Sequence, residues 1–131
     1  MSIGADFDWG AFIDLASELT KRQASSGAGE AAFRTAVSRS YYGAFCLARQ
    51  VIRVNSWATL TRTSQDHRIV KEYFAHNDDT TKQQIGLILG RLHRQRKQAD
   101  YNNVFTEVGK AAHKCYLDAE AVRGLLSKLN R

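Results

Sequence analysis

The chemistry-bearing residues of this chain concentrate in the run Arg91-Leu-His-Arg-Gln-Arg-Lys-Gln-Ala-Asp-Tyr101. Arginines can hold a phosphodiester and stabilise charge on its in-flight oxygens, while a histidine or tyrosine can move a proton. An aspartate can orient an arginine through a paired hydrogen bond. The run supplies Arg94 and Arg96 for the first task, His93 and Tyr101 for the second and Asp100 for the third. Arg96 is the odd member. It continues a helical apolar stripe of Ile85, Ile88, Leu89 and Leu92, with His93 beside it. An arginine on such a stripe points toward the bundle or a cleft and needs a partner, because a buried unpaired charge costs several kcal/mol, in order of magnitude. The plainer reading has Arg96 snorkel to solvent from its helix end.

A second stripe, Thr35, Arg39, Tyr42, Cys46, Arg49 and Arg53, mixes cations with an aromatic. It fits a phosphate-binding face, with Arg39, Tyr42 and Arg49 as contacts. It also fits a plain one, with the arginines solvated and Tyr42 and Cys46 at the core edge. Asp100 has a structural alternative too, as the carboxylate that neutralises Arg96 or Arg39 across two helices.

The charge map favours an anionic partner. The formal net charge is +6, and it is placed unevenly. Residues 31–65 carry Arg34, Arg39, Arg49, Arg53 and Arg62 with no acid, and residues 80–99 carry Lys82, Arg91, Arg94, Arg96 and Lys97 with no acid. Side by side, these segments form an anion-binding surface. Arginine's planar fork suits phosphate. Other chemistries find no support. His67, His76, His93 and His113 include no i, i+4 pair and join no carboxylate motif, so no metal site is expected. No Gly-rich phosphate loop follows a strand, and nothing implies a cofactor. The two cysteines, Cys46 and Cys115, read as reduced buried thiols of a cytoplasmic protein. No window approaches the ~18 apolar residues of a membrane span, and the first residues lack the layout of a signal peptide.

The elements that must position these residues read as helices throughout. Residues 8–22 form the first, with Trp9, Phe12, Ile13, Ala16 and Leu19 inward and Asp6 or Asp8 as cap. Residues 23–29 are a small-residue loop. Residues 30–54 form the longest helix, with Phe33, Ala36, Val37, Ser40, Tyr41, Ala44, Leu47, Ala48 and Val51 on its inner face. A loop at 55–63 carries Trp57. Residues 64–75 form a shorter helix, with Ile69, Val70, Tyr73 and Phe74 inward, and a turn follows at 76–80. Thr80-Thr-Lys-Gln83 matches a capping box opening a helix that runs to about Gln98. The last helix has a three-four seam of Phe105, Val108, Ala112, Cys115, Ala119, Val122, Leu126 and Leu129. No strand pattern, repeat or proline occurs. The expectation is one all-α domain over residues 1–131, an up-and-down bundle of about five helices.

Two segments resemble the signatures of HEPN-domain proteins: Arg39-Ser-Tyr-Tyr-Gly-Ala-Phe45 and Arg96-Lys-Gln-Ala-Asp-Tyr101, the latter placed just after the fourth helix. Phe7-Asp-Trp9, Phe33-Arg-Thr-Ala-Val-Ser-Arg39 and His67 with Val70 also fit, so the resemblance covers nearly the whole chain. The nearest pattern is the small stand-alone branch with an Arg-x-x-Ala-Asp-Tyr box. The resemblance implies a bundle of four to five helices and a homodimer formed through the motif-bearing face. It implies RNA or a nucleotide as ligand, and a role in a toxin–antitoxin or defence system, in some members beside a nucleotidyltransferase antitoxin. Many members are metal-independent endoribonucleases carrying Arg-x(4–6)-His. Here Arg96 takes the arginine position and Tyr101 stands where the histidine belongs, so the box is a degenerate Arg-x4-Tyr. Tyrosine, with an ordinary pKa near ~10, is a poor base at neutral pH. The formal Arg62-x4-His67 match lies away from the family position. If the chain is catalytic, Arg96, Tyr101 and His93 are the candidates, with Arg39, Tyr42, Arg49, Arg94 and Asp100 binding substrate. The alternative is a non-catalytic helical module that pairs with a nucleotidyltransferase or another protein.

Overall fold

Without proline to break it, the second helix runs unbroken for 29 residues and becomes the post on which the others lean. The computed structural model describes residues 7–21 and 27–129. Its helices are α1 (Gly10–Leu19), α2 (Gly27–Asn55), α3 (Asp66–Ala75), α4 (Thr80–Tyr101) and α5 (Val108–Leu129). The all-α expectation of about five helices holds, and the described residues contain no strand. No helix among them is long and apolar enough to cross a membrane.

The inner faces follow the periodicity. On α2, Phe33, Ala36, Val37, Ser40, Tyr41, Ala44 and Ala48 are buried, with Leu47 and Val51 half-buried at the rim. On α5, every seam residue from Val108 to Leu126 is buried and Leu129 packs against the edge, while Phe105, expected on this helix, is buried just before its start. Ile85, Leu89 and Leu92 of α4 meet Val70 and Phe74 of α3 in the same core. Each such aliphatic or aromatic side chain stabilises the fold by about 1.5–3 kcal/mol through burial. Two glycines are needed for close approach. A Cβ on Gly86 would lie 2.5 Å from Ala75 N, so α3 and α4 touch backbone to backbone. A Cβ on Gly43 would lie 2.7 Å from Ile13 Cγ1, where α1 crosses α2.

Several boundaries differ from the sequence reading. Gly27–Gly29, expected in a loop, form the first turn of α2, while residues 23–26 of that loop lie outside the described residues. Asp8 accepts from Gly10 N at 2.9 Å at the start of α1; Asp6, the alternative cap, lies outside the described residues. The cap of α4 is Asp79, whose Oδ1 accepts from Thr81 N at 2.8 Å. Gln83, expected to reach back in a capping box, instead donates to Asn77 O at 2.7 Å. An aspartate with extended backbone outcompetes a threonine already inside the helix.

The most consequential difference is the end of α4. The helix runs through Tyr101, not to about Gln98, so the whole Arg96–Tyr101 segment is helical. Arg34 explains the extension. Its Nη1 donates to Ala99 O (3.0 Å) and Asn102 O (2.6 Å), and its Nη2 to Asn103 O (3.2 Å). A cation thus sits on the carbonyl end of α4, where helix carbonyls lack internal partners and the dipole is negative.

The α2–α3 connection refines the helix order. Tyr41 and Tyr42 pair with His93 and Arg96 while Arg34 pairs with the end of α4, so α2 and α4 run antiparallel. The connection doubles back along α2, bringing His67 against Tyr41 and Phe45.

Candidate functional site

Extending α4 through Tyr101 places Asp100 one turn beyond Arg96, on the same face. Arg96 Nε lies 2.9 Å from Asp100 Oδ2, an ion pair with side chains 18% and 29% exposed. The approach is close but off-line, and Nε has no hydrogen bond. Arg96 Nη2 donates to the Tyr42 hydroxyl at 2.7 Å. The guanidinium also lies 5.1 Å from the Tyr42 ring centre and 5.7 Å from that of Tyr101. The apolar stripe thus delivers Arg96 to a half-buried place with a partner, and snorkelling away from the bundle is not what it does.

Arg39 converges on the same aromatic. Its guanidinium lies 5.2 Å from the Tyr42 ring and 5.1 Å from Phe12. Among the described residues its one polar side-chain contact is a long one, 3.4 Å to Ser38 Oγ, and it has no acidic partner there. Two arginines therefore gather at Tyr42 with one carboxylate between them, an excess of positive charge on a defined surface.

Behind Tyr42 lies a stack that spacing did not reveal. Tyr41 and His93 stack at 5.2 Å, His67 stacks on Phe45 at 4.1 Å, and the two imidazoles stand 6.2 Å apart. The Tyr41 hydroxyl is hydrogen-bonded to His67 Nδ1. Burial, then Lys97, Lys71, His67 and Arg96, push His93 down to about 4. Burial, then Arg96 and Arg49, lower His67, with Asp66 opposing. Burial raises the Tyr41 hydroxyl far above its usual range. At neutral pH this stack is uncharged, with His93 a weak base. The sequence singled out His93 beside Arg96, and the resemblance included His67, but nothing joined the two; Tyr41 read simply as core.

The remaining candidates divide. Tyr101 is beside Arg96 but 71% exposed. Arg49, two turns beyond Tyr42, lies 5.8 Å from the Trp9 ring and 5.3 Å from Phe45, and lacks an acidic partner among the described residues. Its charge reaches His67, so it flanks the cluster. Arg94 is not brought in. It is two residues from Arg96, about 200° around the helix, and stands exposed beside Gly90. Arg91 is spent on Asp118, in a paired contact of 2.9 and 3.2 Å. Cys46 and Cys115 are buried free thiols, and burial raises both, Cys115 to about 12. No group of three or more metal-ligating side chains occurs among the described residues.

The arrangement suits holding an anion against Arg39 and Arg96, with Tyr42 and Asp100 fixing the second arginine. No protein-family model, curated protein or solved structure matches the chain.

Proposed function

We propose that this chain is a HEPN-type helical domain that binds RNA or nucleotide phosphates at the Arg39–Tyr42–Arg96 cluster, as a component of a toxin–antitoxin or defence system. The observation that carries the binding reading is the convergence of Arg39 and Arg96 on Tyr42 with Arg39 lacking an acidic partner among the described residues. Phosphate supplies the missing acceptor and matches the guanidinium fork. The HEPN assignment and biological setting rest on the resemblance of Arg39–Phe45 and Arg96–Tyr101. Homodimerisation is part of the same proposal. Tyr101, 71% exposed, offers ring surface beside Arg96, where a second copy would bring two sites into one groove. Sedimentation showing a monomer at working concentration refutes that part.

If the domain cleaves RNA, it does so as a metal-independent endoribonuclease, with Arg96 stabilising the phosphate and Tyr101 or His93 moving the proton. The second reading, a non-catalytic module pairing with a nucleotidyltransferase or other protein, is favoured by one observation: Asp100, on the same helix, gives Arg96 a carboxylate partner. An RNA-cleavage gel with wild type and Arg96→Ala, each with and without EDTA, separates the two. Cleavage by wild type in EDTA, lost in the variant, supports the enzyme; no cleavage by wild type sinks it.

A further inference from the structure

An open groove of about 940 Å³ lies beside this cluster, bounded by α2, the stretch preceding α1 and the returning loop. Arg49, Arg53 and Arg62 line it together with Phe7, Trp9 and Trp57, and Asp66 is the one acid among the described residues that line it. Both oxygens of Asp66 are already engaged. Oδ1 accepts from Thr61 N (2.7 Å) and Thr61 Oγ1 (2.8 Å), and Oδ2 from Arg62 N (3.0 Å). That buried carboxylate therefore serves the loop's shape, and neither Arg49 nor Arg62 forms an ion pair among the described residues.

The loop is held in an unusual conformation. Ser56 and Arg62, near its two ends, have φ of 55° and 61°, a region most side chains avoid. Both line the groove. Backbone strain of this kind persists where the surroundings over-determine it, and it clusters at binding sites. Here the Asp66 hydrogen bonds pin the Arg62 backbone. The aromatic walls are also set: Trp57 packs on Tyr73 and under Lys82 Nζ, and Phe7 meets Trp9 edge-on while remaining 53% exposed.

We infer that this groove is a nucleotide-holding subsite for single-stranded RNA, in which Arg49 and Arg62 take a phosphate and the Phe7–Trp9 wall takes a base. The inference rests on the proposed RNA-binding function and extends it. Arg39, Tyr42, Cys46, Arg49 and Arg53 recur along one stripe of α2, so a strand leaving the Arg39–Arg96 cluster enters the groove directly. Phosphates held by arginine with bases on aromatic walls is how single strands are bound without sequence readout.

The chain's two tryptophans, Trp9 and Trp57, both line the groove, so intrinsic fluorescence reports on it. The probe is a 2′-O-methyl oligoadenylate octamer, which cannot be cleaved through its 2′ oxygen. Anisotropy of a labelled copy measures binding anywhere on the protein. Saturable tryptophan quenching is expected in the wild type. Arg62→Asn is the chosen variant because asparagine tolerates positive φ and keeps the backbone donor to Asp66. It should melt with wild type, bind about tenfold more weakly, and show a salt slope shallower by about 0.7. Arg96→Ala should weaken binding by anisotropy yet reach the same quenching at saturation. Binding by anisotropy without quenching, or an unchanged affinity in Arg62→Asn, overturns the groove assignment and leaves the functional reading standing. No anisotropy change at all overturns both. Equal quenching by polyglutamate of matched length overturns the assignment to a nucleotide.

Discussion

Replacing Arg34 with methionine keeps the aliphatic stem but removes the cation from the end of α4. Four carbonyl contacts disappear, to Ala99, Asn102 and Asn103 and a long one of 3.5 Å to Gln98, together with an exposed ion pair to Glu30 at 3.0 Å. Net, each neutral-acceptor hydrogen bond is worth about 1 kcal/mol where water can replace the lost donor. The exposed pair adds only about 0.3–0.5 kcal/mol, and the charge–dipole interaction up to about 1 kcal/mol. The contacts overlap with the dipole contribution, so a loss of about 2–3 kcal/mol is expected. For a domain of this length that lowers the melting midpoint by about 6–12 °C. The loss should also be local. Amide exchange should accelerate at residues 98–103 more than along α5, because the last turn of α4 frays before the bundle opens. A circular-dichroism melt with hydrogen-exchange mass spectrometry reads both. A midpoint within 1 °C of wild type, with unchanged exchange at 98–103, would refute the idea that Arg34 holds this end of α4.

Three further outcomes are expected. Gly86→Ala should destabilise by about 1–3 kcal/mol through the clash with Ala75, while Gly90→Ala, where a Cβ meets only side chains at 3.7 Å or more, should stabilise by about 0.5–1 kcal/mol; urea melts that rank the two alike contradict the backbone contact. His93 is pushed from 6.5 to about 4, so it binds its proton in the unfolded chain before the folded one. Its contribution is present above pH 6.5 and is lost as pH falls toward 4. The whole shift is worth about 3 kcal/mol, and partial exposure reduces this to about 1–2 kcal/mol. His93→Gln should flatten stability between pH 6.5 and 4, and an unchanged slope counts against the buried neutral imidazole. Asp100→Ala should lower the melting midpoint by several degrees if the Arg96 pair is structural, whereas a near-neutral melt with weaker oligonucleotide binding assigns Asp100 to the site.

What could be read from the sequence was what periodicity encodes. The α5 seam needed only a count of threes and fours, and Arg96 announced itself by interrupting an apolar stripe. Tyr42 was visible because it shares a stripe with cations. The Tyr41–His67–His93 stack was not, because the register of α3 against α2 depends on how the 56–65 connection folds back, and no spacing records that path. Arg34 was legible as charge but not as a cap, since its partners are main-chain carbonyls that every residue possesses. The same holds for Arg62, whose role in the groove's shape lies in its backbone. Arg94 shows the opposite failure: placed in the basic run by sequence, it is turned away from Arg96 by helical geometry.

The backbone contact at Gly86 has a consequence for detecting ligands. It makes α3 and α4 a tightly closed hairpin, whereas α3 meets α2 chiefly through the His67, Tyr41 and Phe45 rings. The arginines are divided between this hairpin and α2, Arg96 on one side and Arg39 and Arg49 on the other. An anion bridging them acts as a clasp, and its binding free energy is added to the resistance of the hairpin to opening. Thermal stabilisation and slowed exchange in α3 would therefore register such a ligand even in a variant that performs no chemistry.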